Sequence, residues 1–62
     1  MEIKLGDIVF LKTDKDQSPR ICTGIMCRPT GNLYYLSKAD FETSHYDIEI
    51  SLEINELIKL FN

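Results

Sequence analysis

Apolar and polar side chains alternate with one repeat between residues 8 and 50 and with another after residue 51. Ile8-Val9-Phe10-Leu11 is a β-branched and aromatic run introduced by Gly6-Asp7, which predicts a turn feeding a short strand. Thr13 to Pro19 is polar, carries the acidic pair Asp14 and Asp16, and has no apolar period, so it reads as an exposed loop. From Arg20 to Cys27 the alternation returns, with Ile21, Thr23 and Ile25 expected on one side and Cys22, Gly24 and Met26 on the other. Gly24 in mid-strand predicts a bulge or a close approach of backbone. Pro29-Thr30-Gly31-Asn32 marks a turn, and a hairpin leads into a third strand over residues 33 to 37. There Leu33 and Tyr35 face one way, Tyr34 and Leu36 the other. After the loop Lys38-Ala39-Asp40, residues 43 to 51 read as a further strand, with Tyr46, Ile48 and Ile50 on a buried face and Asp47 and Glu49 in water.

The tail changes period. Ile54, Leu57, Ile58 and Phe61 fall at i, i+3, i+4 and i+7, the apolar stripe of an amphipathic helix, with Ser51 as its N-cap and Glu53 near the positive end of its dipole. The expected architecture is therefore mainly β: one domain spanning residues 1 to 62. Four or five short antiparallel strands form a strongly bent sheet, open or closed as a barrel over about residues 5 to 51, and a C-terminal α-helix follows over about residues 52 to 61. A helix this short is marginal in water unless its stripe is covered. Either it plugs an open end of its own sheet or it docks on another copy.

Length sharpens that point. A chain of 62 residues buries only about 60% of the surface its unfolded form exposes, and a core of that size supplies about 3–5 kcal/mol. Association with a partner or with itself is an expected source of further burial. The net charge of −3 and pI of about 4.9 work against a phosphate backbone, whose binding rests on Lys and Arg releasing counterions. Met1 to Leu5 lacks the charged and apolar regions of a secretion signal, and no apolar run is long enough to span a bilayer. The expectation is a cytoplasmic protein without membrane contact, its two cysteines reduced.

Several short stretches together resemble the small SH3-like β-barrel proteins encoded by bacteria and their prophages. They are Gly6-Asp7-Ile8-Val9 with Leu11-Lys12-Thr13-Asp14, then Pro19-Arg20-Ile21 and Thr23-Gly24, then Tyr34-Tyr35-Leu36-Ser37, and finally His45 to Ile50. The likeness covers most of residues 6 to 51 and leaves the tail outside. It implies an SH3-like barrel and a bacterial or prophage origin, and it brings no established activity. A weaker similarity, to the RNA-associated barrels of ribosomal and transcription proteins, rests on the Gly-Asp-x-Val opening and stops at Val9. Where those proteins continue with glycines and basic residues, this chain continues with Thr13-Asp14-Lys15-Asp16, a loop that repels phosphate.

Candidate chemistry is thin. Cys22 and Cys27, with His45 further on, lack the fourth ligand of a zinc site, and two cysteines five positions apart on a regular strand point to opposite faces. They read as packed thiols. No nucleophile motif, phosphate loop or cofactor site occurs, so neither an enzyme nor a cofactor is expected. His45 reads as a half-exposed strand residue, and Asp14, Asp16, Asp40, Glu42, Asp47 and Glu49 as a solvated surface. The set with the most binding potential is Tyr34, Tyr35 and Tyr46 with Arg20 and Arg28, joined by His45: Tyr and Arg are favoured at protein interfaces, and the same pair sandwiches a nucleobase while holding its phosphate. The expected function is a non-enzymatic binding module for a protein partner, self-association through Ile54, Leu57, Ile58 and Phe61 included. The alternatives are a protein that sequesters a small nucleotide-type ligand and a sequence-tolerant binder of single-stranded nucleic acid, the latter disfavoured by charge.

Overall fold

The computed structural model describes residues 2 to 55. Five strands, β1 (Ile8–Leu11), β2 (Arg20–Arg28), β3 (Gly31–Lys38), β4 (Phe41–Tyr46) and β5 (Ile50–Ser51), form one sheet in the order β4-β3-β2-β1-β5. Every pairing is antiparallel. No pairing joins β4 to β5, so the sheet is open. The mainly-β reading and its first three strands hold, with β2 and β3 slightly longer than the sequence predicts. Two-residue connections explain the extra length. Pro29-Thr30 links Arg28 to Gly31, whose φ of +127° excludes ordinary side chains, and Ala39-Asp40 links Lys38 to Phe41. Only the first residue of the second loop, Ala39, has positive φ (54°), as a type II′ hairpin requires.

The expected alternation along β2 is corrected by a bulge. Cys22 pairs with Leu36 but Gly24 pairs with Tyr35, leaving Thr23 as the extra residue. Beyond it the faces swap: Cys22, Ile25 and Cys27 share one side, while Ile21, Gly24 and Met26 share the other. Cys22 and Cys27 therefore lie on the same face, not on opposite ones. They stand about 13 Å apart along the strand, Cys22 buried and Cys27 exposed, both free thiols. Gly24 is where the backbone needs no side chain, since a Cβ there would sit 3.1 Å from Cδ2 of Tyr35.

A larger correction concerns residues 43 to 51, which are not one strand. Asp47–Glu49 forms a 3-10 turn between β4 and β5. The Tyr46 N–H donates to Glu49 Oε2 at 3.0 Å, and the Ile50 N–H donates back to the Asp47 carbonyl, so the turn is closed from both ends. The period of two is broken there: Ile48 is 77% exposed whereas Ile50 is 0% exposed. The turn redirects the chain onto β1, pairing Leu11 with Ile50 and Phe10 with Ser51, and the Lys12 N–H extends the ladder to the Glu49 carbonyl at 2.8 Å.

Residues 52 to 55 are a bend and coil, not the first turn of a helix. Ser51 spends its hydroxyl on Glu53 alone, Oγ donating to the Glu53 carbonyl (2.8 Å) and accepting from its N–H (3.2 Å). Of the predicted apolar stripe, Ile54 is partly exposed, and Leu57, Ile58 and Phe61 lie outside the described residues.

The core is Ile3, Val9, Leu11, Cys22, Tyr34, Leu36 and Ile50, all on one face of the sheet. Ile3 reaches it through a turn in which the Asp7 N–H donates to the Lys4 carbonyl and Asp7 Oδ2 accepts from the Lys4 N–H. One buried polar side chain completes it. Gln17, 2% exposed, donates through Nε2 to the carbonyls of Leu11 (2.8 Å) and Asp14 (2.7 Å), and its Oε1 accepts from the Asn55 N–H (2.8 Å). The β1–β2 loop and the segment after β5 are thereby tied to the end of β1. Removing that amide strands buried backbone groups, each costing about 1–3 kcal/mol. Chemical denaturation of Gln17→Ala should show a loss of about 2 kcal/mol or more, against under about 0.5 kcal/mol for the exposed neighbour Asp16→Ala.

Candidate functional site

The face of the sheet opposite the core is also apolar. Cross-strand register lays it out in rows: Ile8, Ile21 and Ser37; then Gly24, Tyr35 and Ser44; then Met26, Leu33 and Tyr46. Ile8 (57%), Ile21 (49%) and Met26 (39%) are exposed, and Leu33, Tyr35 and Tyr46 are half-buried. The bulge makes this surface, because without it Ile21 and Met26 would point to opposite sides of β2. Gly24 lets the Tyr35 ring lie down against the backbone between the two apolar rows, an aromatic filling the place of a missing side chain. Two charged side chains flank these rows: Arg28, with Nε 3.4 Å from Met26 Sδ, and Glu42, opposite Ser37, whose Oε2 accepts from Thr23 Oγ1 at 2.7 Å. Thr23, the bulge residue, thus joins β2 to β4 over the edge of Tyr35.

The five Tyr and Arg residues singled out from the sequence do not form one site. Tyr34 and Tyr35 do face opposite ways: Tyr34 is core (5% exposed), with its hydroxyl accepting from Asn32 Nδ2, and Tyr35 is on the outer face. Tyr46 joins Tyr35 there. Arg20 and Arg28 are at opposite ends of β2, about 25 Å apart along the strand, so no single phosphate meets both. Arg28 is exposed, its Nε 3.4 Å from Met26 Sδ. Arg20 lies beside the β1–β2 loop, with Nη2 3.6 Å from Asp14 Oδ2 and a buried Nε that has no hydrogen-bond partner among the described residues.

His45 is half-buried between Thr43 and Glu49. Its Nε2 is 2.7 Å from Thr43 Oγ1, and its Nδ1 is 3.5 Å from Glu49 Oε1. Since Glu49 also caps the 3-10 turn, the histidine serves the corner that returns the chain to β1. A shallow depression of about 500 Å³ between that corner and the β2–β3 turn is lined by Thr30, Tyr46, Asp47 and Ile48. No group of His, Cys, Asp and Glu able to hold a metal occurs among the described residues, and no helix among them is long and apolar enough to cross a membrane.

Sequence reading missed two contributors. Ile3 lies outside any alternating run, and Gln17 looks like one more polar loop residue; neither carries a local signal of its burial. The outer face was missed for a related reason, since an assumed regular β2 scatters its residues. No family model, curated protein or solved structure matches the chain.

Asp14 organises the loop that holds Arg20. Burial of its carboxyl works to raise the pKa, but the amides of Ser18 and Asp16 and the charges of Arg20 and Lys38 outweigh it and leave the group below its ordinary value of 3.8. The folded state therefore favours the ionised form. Its contribution is complete above the unfolded pKa and is lost as pH falls through the lower folded value. Urea unfolding followed from pH 6 down to about pH 2 should show Asp14→Asn less stable than wild type at the top of that range and converging with it at the bottom. A constant gap between the two across the range would remove Asp14 as a source of the acid sensitivity.

Proposed function

We propose that the chain is a small non-enzymatic binding module whose partner is a protein, self-association included. The observation that carries this reading is the outer face: Ile8 and Ile21 exposed in one row and Met26 in another, with Tyr35 between the rows and Tyr46 in the row of Met26. Aromatic and apolar residues presented together, with Glu42 and Arg28 at their edge, are the composition of an interface core with a polar rim. The small size of the chain supports it as well: among the described residues seven apolar side chains are buried, and a partner is a common source of further burial for a chain of this length.

The fold reading that accompanies this proposal is an SH3-like barrel of bacterial or prophage origin. It is supported by the return of β5 to β1 after an uninterrupted meander and by the 3-10 turn that makes the return. The terminal helix expected over about residues 52 to 61 is absent at 52 to 55, and the remainder of that range lies outside the described residues. A non-catalytic role is supported by the employment of the reactive side chains: Cys22 Sγ faces the Gly24 carbonyl at 3.6 Å inside the core, and His45 is engaged by Thr43 and Glu49. Sequestration of a nucleotide would need an Arg beside an exposed Tyr. Tyr34 is inside and Arg20 is paired with Asp14, which leaves Arg28, beside Met26 in the row of Tyr46, as the Arg that alternative would use.

A photo-crosslinking residue at position 21 tests the proposal in cells of the native host. Discrete protein adducts are expected from position 21 and not from position 16, an exposed residue of the β1–β2 loop. Equal labelling from both positions, or none from either, would contradict an interface on the outer face.

A further inference from the structure

The sheet has two edges of very different character. β5 is two residues long, too short to template another strand, whereas β4 is six residues long, Phe41-Glu42-Thr43-Ser44-His45-Tyr46, and its first four residues are exposed. Proteins usually blunt such an edge with Pro, charged side chains (Lys above all), a bulge or a covering element. β4 has no Pro, Lys or bulge and a single carboxylate, Glu42, and no strand among the described residues pairs with its outer side.

Hydrogen-bond parity limits how the edge can be used. In a two-residue hairpin the residues flanking the loop exchange both backbone hydrogen bonds, so Lys38 and Phe41 form such a pair. Thr43 and His45 then also direct their N–H and C=O groups toward β3, and Glu42, Ser44 and Tyr46 direct theirs outward. The Tyr46 N–H confirms the parity, since it is free of β3 and donates to the Glu49 side chain.

We infer that β4 pairs antiparallel with β4 of a second copy, centred on Ser44, so that two sheets join edge to edge. A two-fold axis perpendicular to the sheet must pass between a residue and its own copy. Parity lets that residue be Glu42, Ser44 or Tyr46 in a hydrogen-bonded pair, or Thr43 or His45 in a non-hydrogen-bonded one. Centring on Glu42 sets two carboxylates directly opposite each other, which is destabilising, and centring on His45 or Tyr46 runs the pairing into the 3-10 turn. Centring on Thr43 sets Phe41 against His45 of the second copy and leaves the exposed Ile48 of each copy unmet. Centring on Ser44 avoids all of these. Glu42 then faces Tyr46 of the second copy, Thr43 faces His45 of the second copy, and about four backbone hydrogen bonds form without disturbing the Tyr46–Glu49 cap.

The same register accounts for a second observation. The two most exposed large apolar side chains, Phe41 (73%) and Ile48 (77%), flank β4 at its opposite ends. Centring on Ser44 brings Phe41 of each copy to the end of β4 where Ile48 of the other stands. A second copy is thus the occupant for which this edge is complementary in hydrogen bonding and at its apolar ends.

The inference rests on the binding-module reading and adds a surface distinct from the outer face. Its test is the mass of the full chain by light scattering and sedimentation up to about 1 mM. Wild type should reach the dimer mass. Ser44→Pro removes an outward N–H without touching the β3 ladder, and it should stay monomeric with an unchanged far-ultraviolet spectrum. Ser44→Lys sets two ammonium groups opposite each other and should weaken the dimer at least tenfold even if the proline variant fails to fold. In a Cys27→Ser background, Ser44→Cys should oxidise to a disulfide-linked dimer and Glu42→Cys should not, because only position 44 meets its own copy. A monomer throughout, a dimer indifferent to both Ser44 variants, or equal crosslinking from positions 42 and 44 would each overturn the inference. Adducts to another protein at position 21 together with a monomeric chain would overturn self-pairing and leave the binding-module reading standing.

Discussion

Ile50 packed under Leu11 is the contact on which the rest of the molecule depends. Without it β1 has a neighbour on one side only, and the sheet reduces to a meander whose apolar face has no floor at the β1 end. The contact exists because a three-residue 3-10 turn consumes the distance between β4 and β5, held by Glu49 reaching back to the Tyr46 amide and forward, through its own carbonyl, to Lys12. Gln17 secures the same end of β1 from the other direction, binding the Leu11 carbonyl and the Asn55 amide. Polar groups with full sets of partners thus hold the frame in which seven apolar side chains pack.

A core built on one face of a single open sheet has consequences at the surface. The alternation that sends Val9, Leu11, Cys22 and Leu36 inward sends Ile8, Ile21 and Met26 outward, and among the described residues the edge strand β4 has one neighbour to pair with. The functional proposals follow from these two features: a partner protein for the face and a second copy for the edge. The bulge at Thr23 links stability to surface, since it both bends β2 and gathers the exposed apolar residues on one side.

How much of this the sequence discloses depends on whether a feature is local. β1, the first hairpin and the opposed faces of Tyr34 and Tyr35 are set by short-range alternation and by turn residues, and they are legible. Gly24 announces an irregularity, but not that Thr23 becomes the extra residue, and this detail reverses the sides of Ile25 and Met26. Residues 46 to 50 mislead outright, because Tyr-Asp-Ile-Glu-Ile alternates perfectly and yet its middle three residues fold as a 3-10 turn. What overrides the pattern is non-local: β1 needs a second partner, and a strand running straight on through residue 51 could not supply one. Ile3 and Gln17 are invisible for the same reason, since burial by a distant segment leaves no trace in the neighbouring residues. The scattered Tyr and Arg residues show the limit for sites, where residue type is legible and convergence is not.

Ile48 and Ile50 provide the most direct measurement, being the same residue two positions apart in one alternating run. Truncating each to Ala and measuring stability by chemical denaturation separates a continuous strand from a return through a turn. Ile50→Ala should cost about 2–5 kcal/mol, enough to leave little folded protein, and Ile48→Ala less than about 0.5 kcal/mol. Equal losses at the two positions would mean that both side chains share one buried face, and the return of the chain to β1 would have to be abandoned.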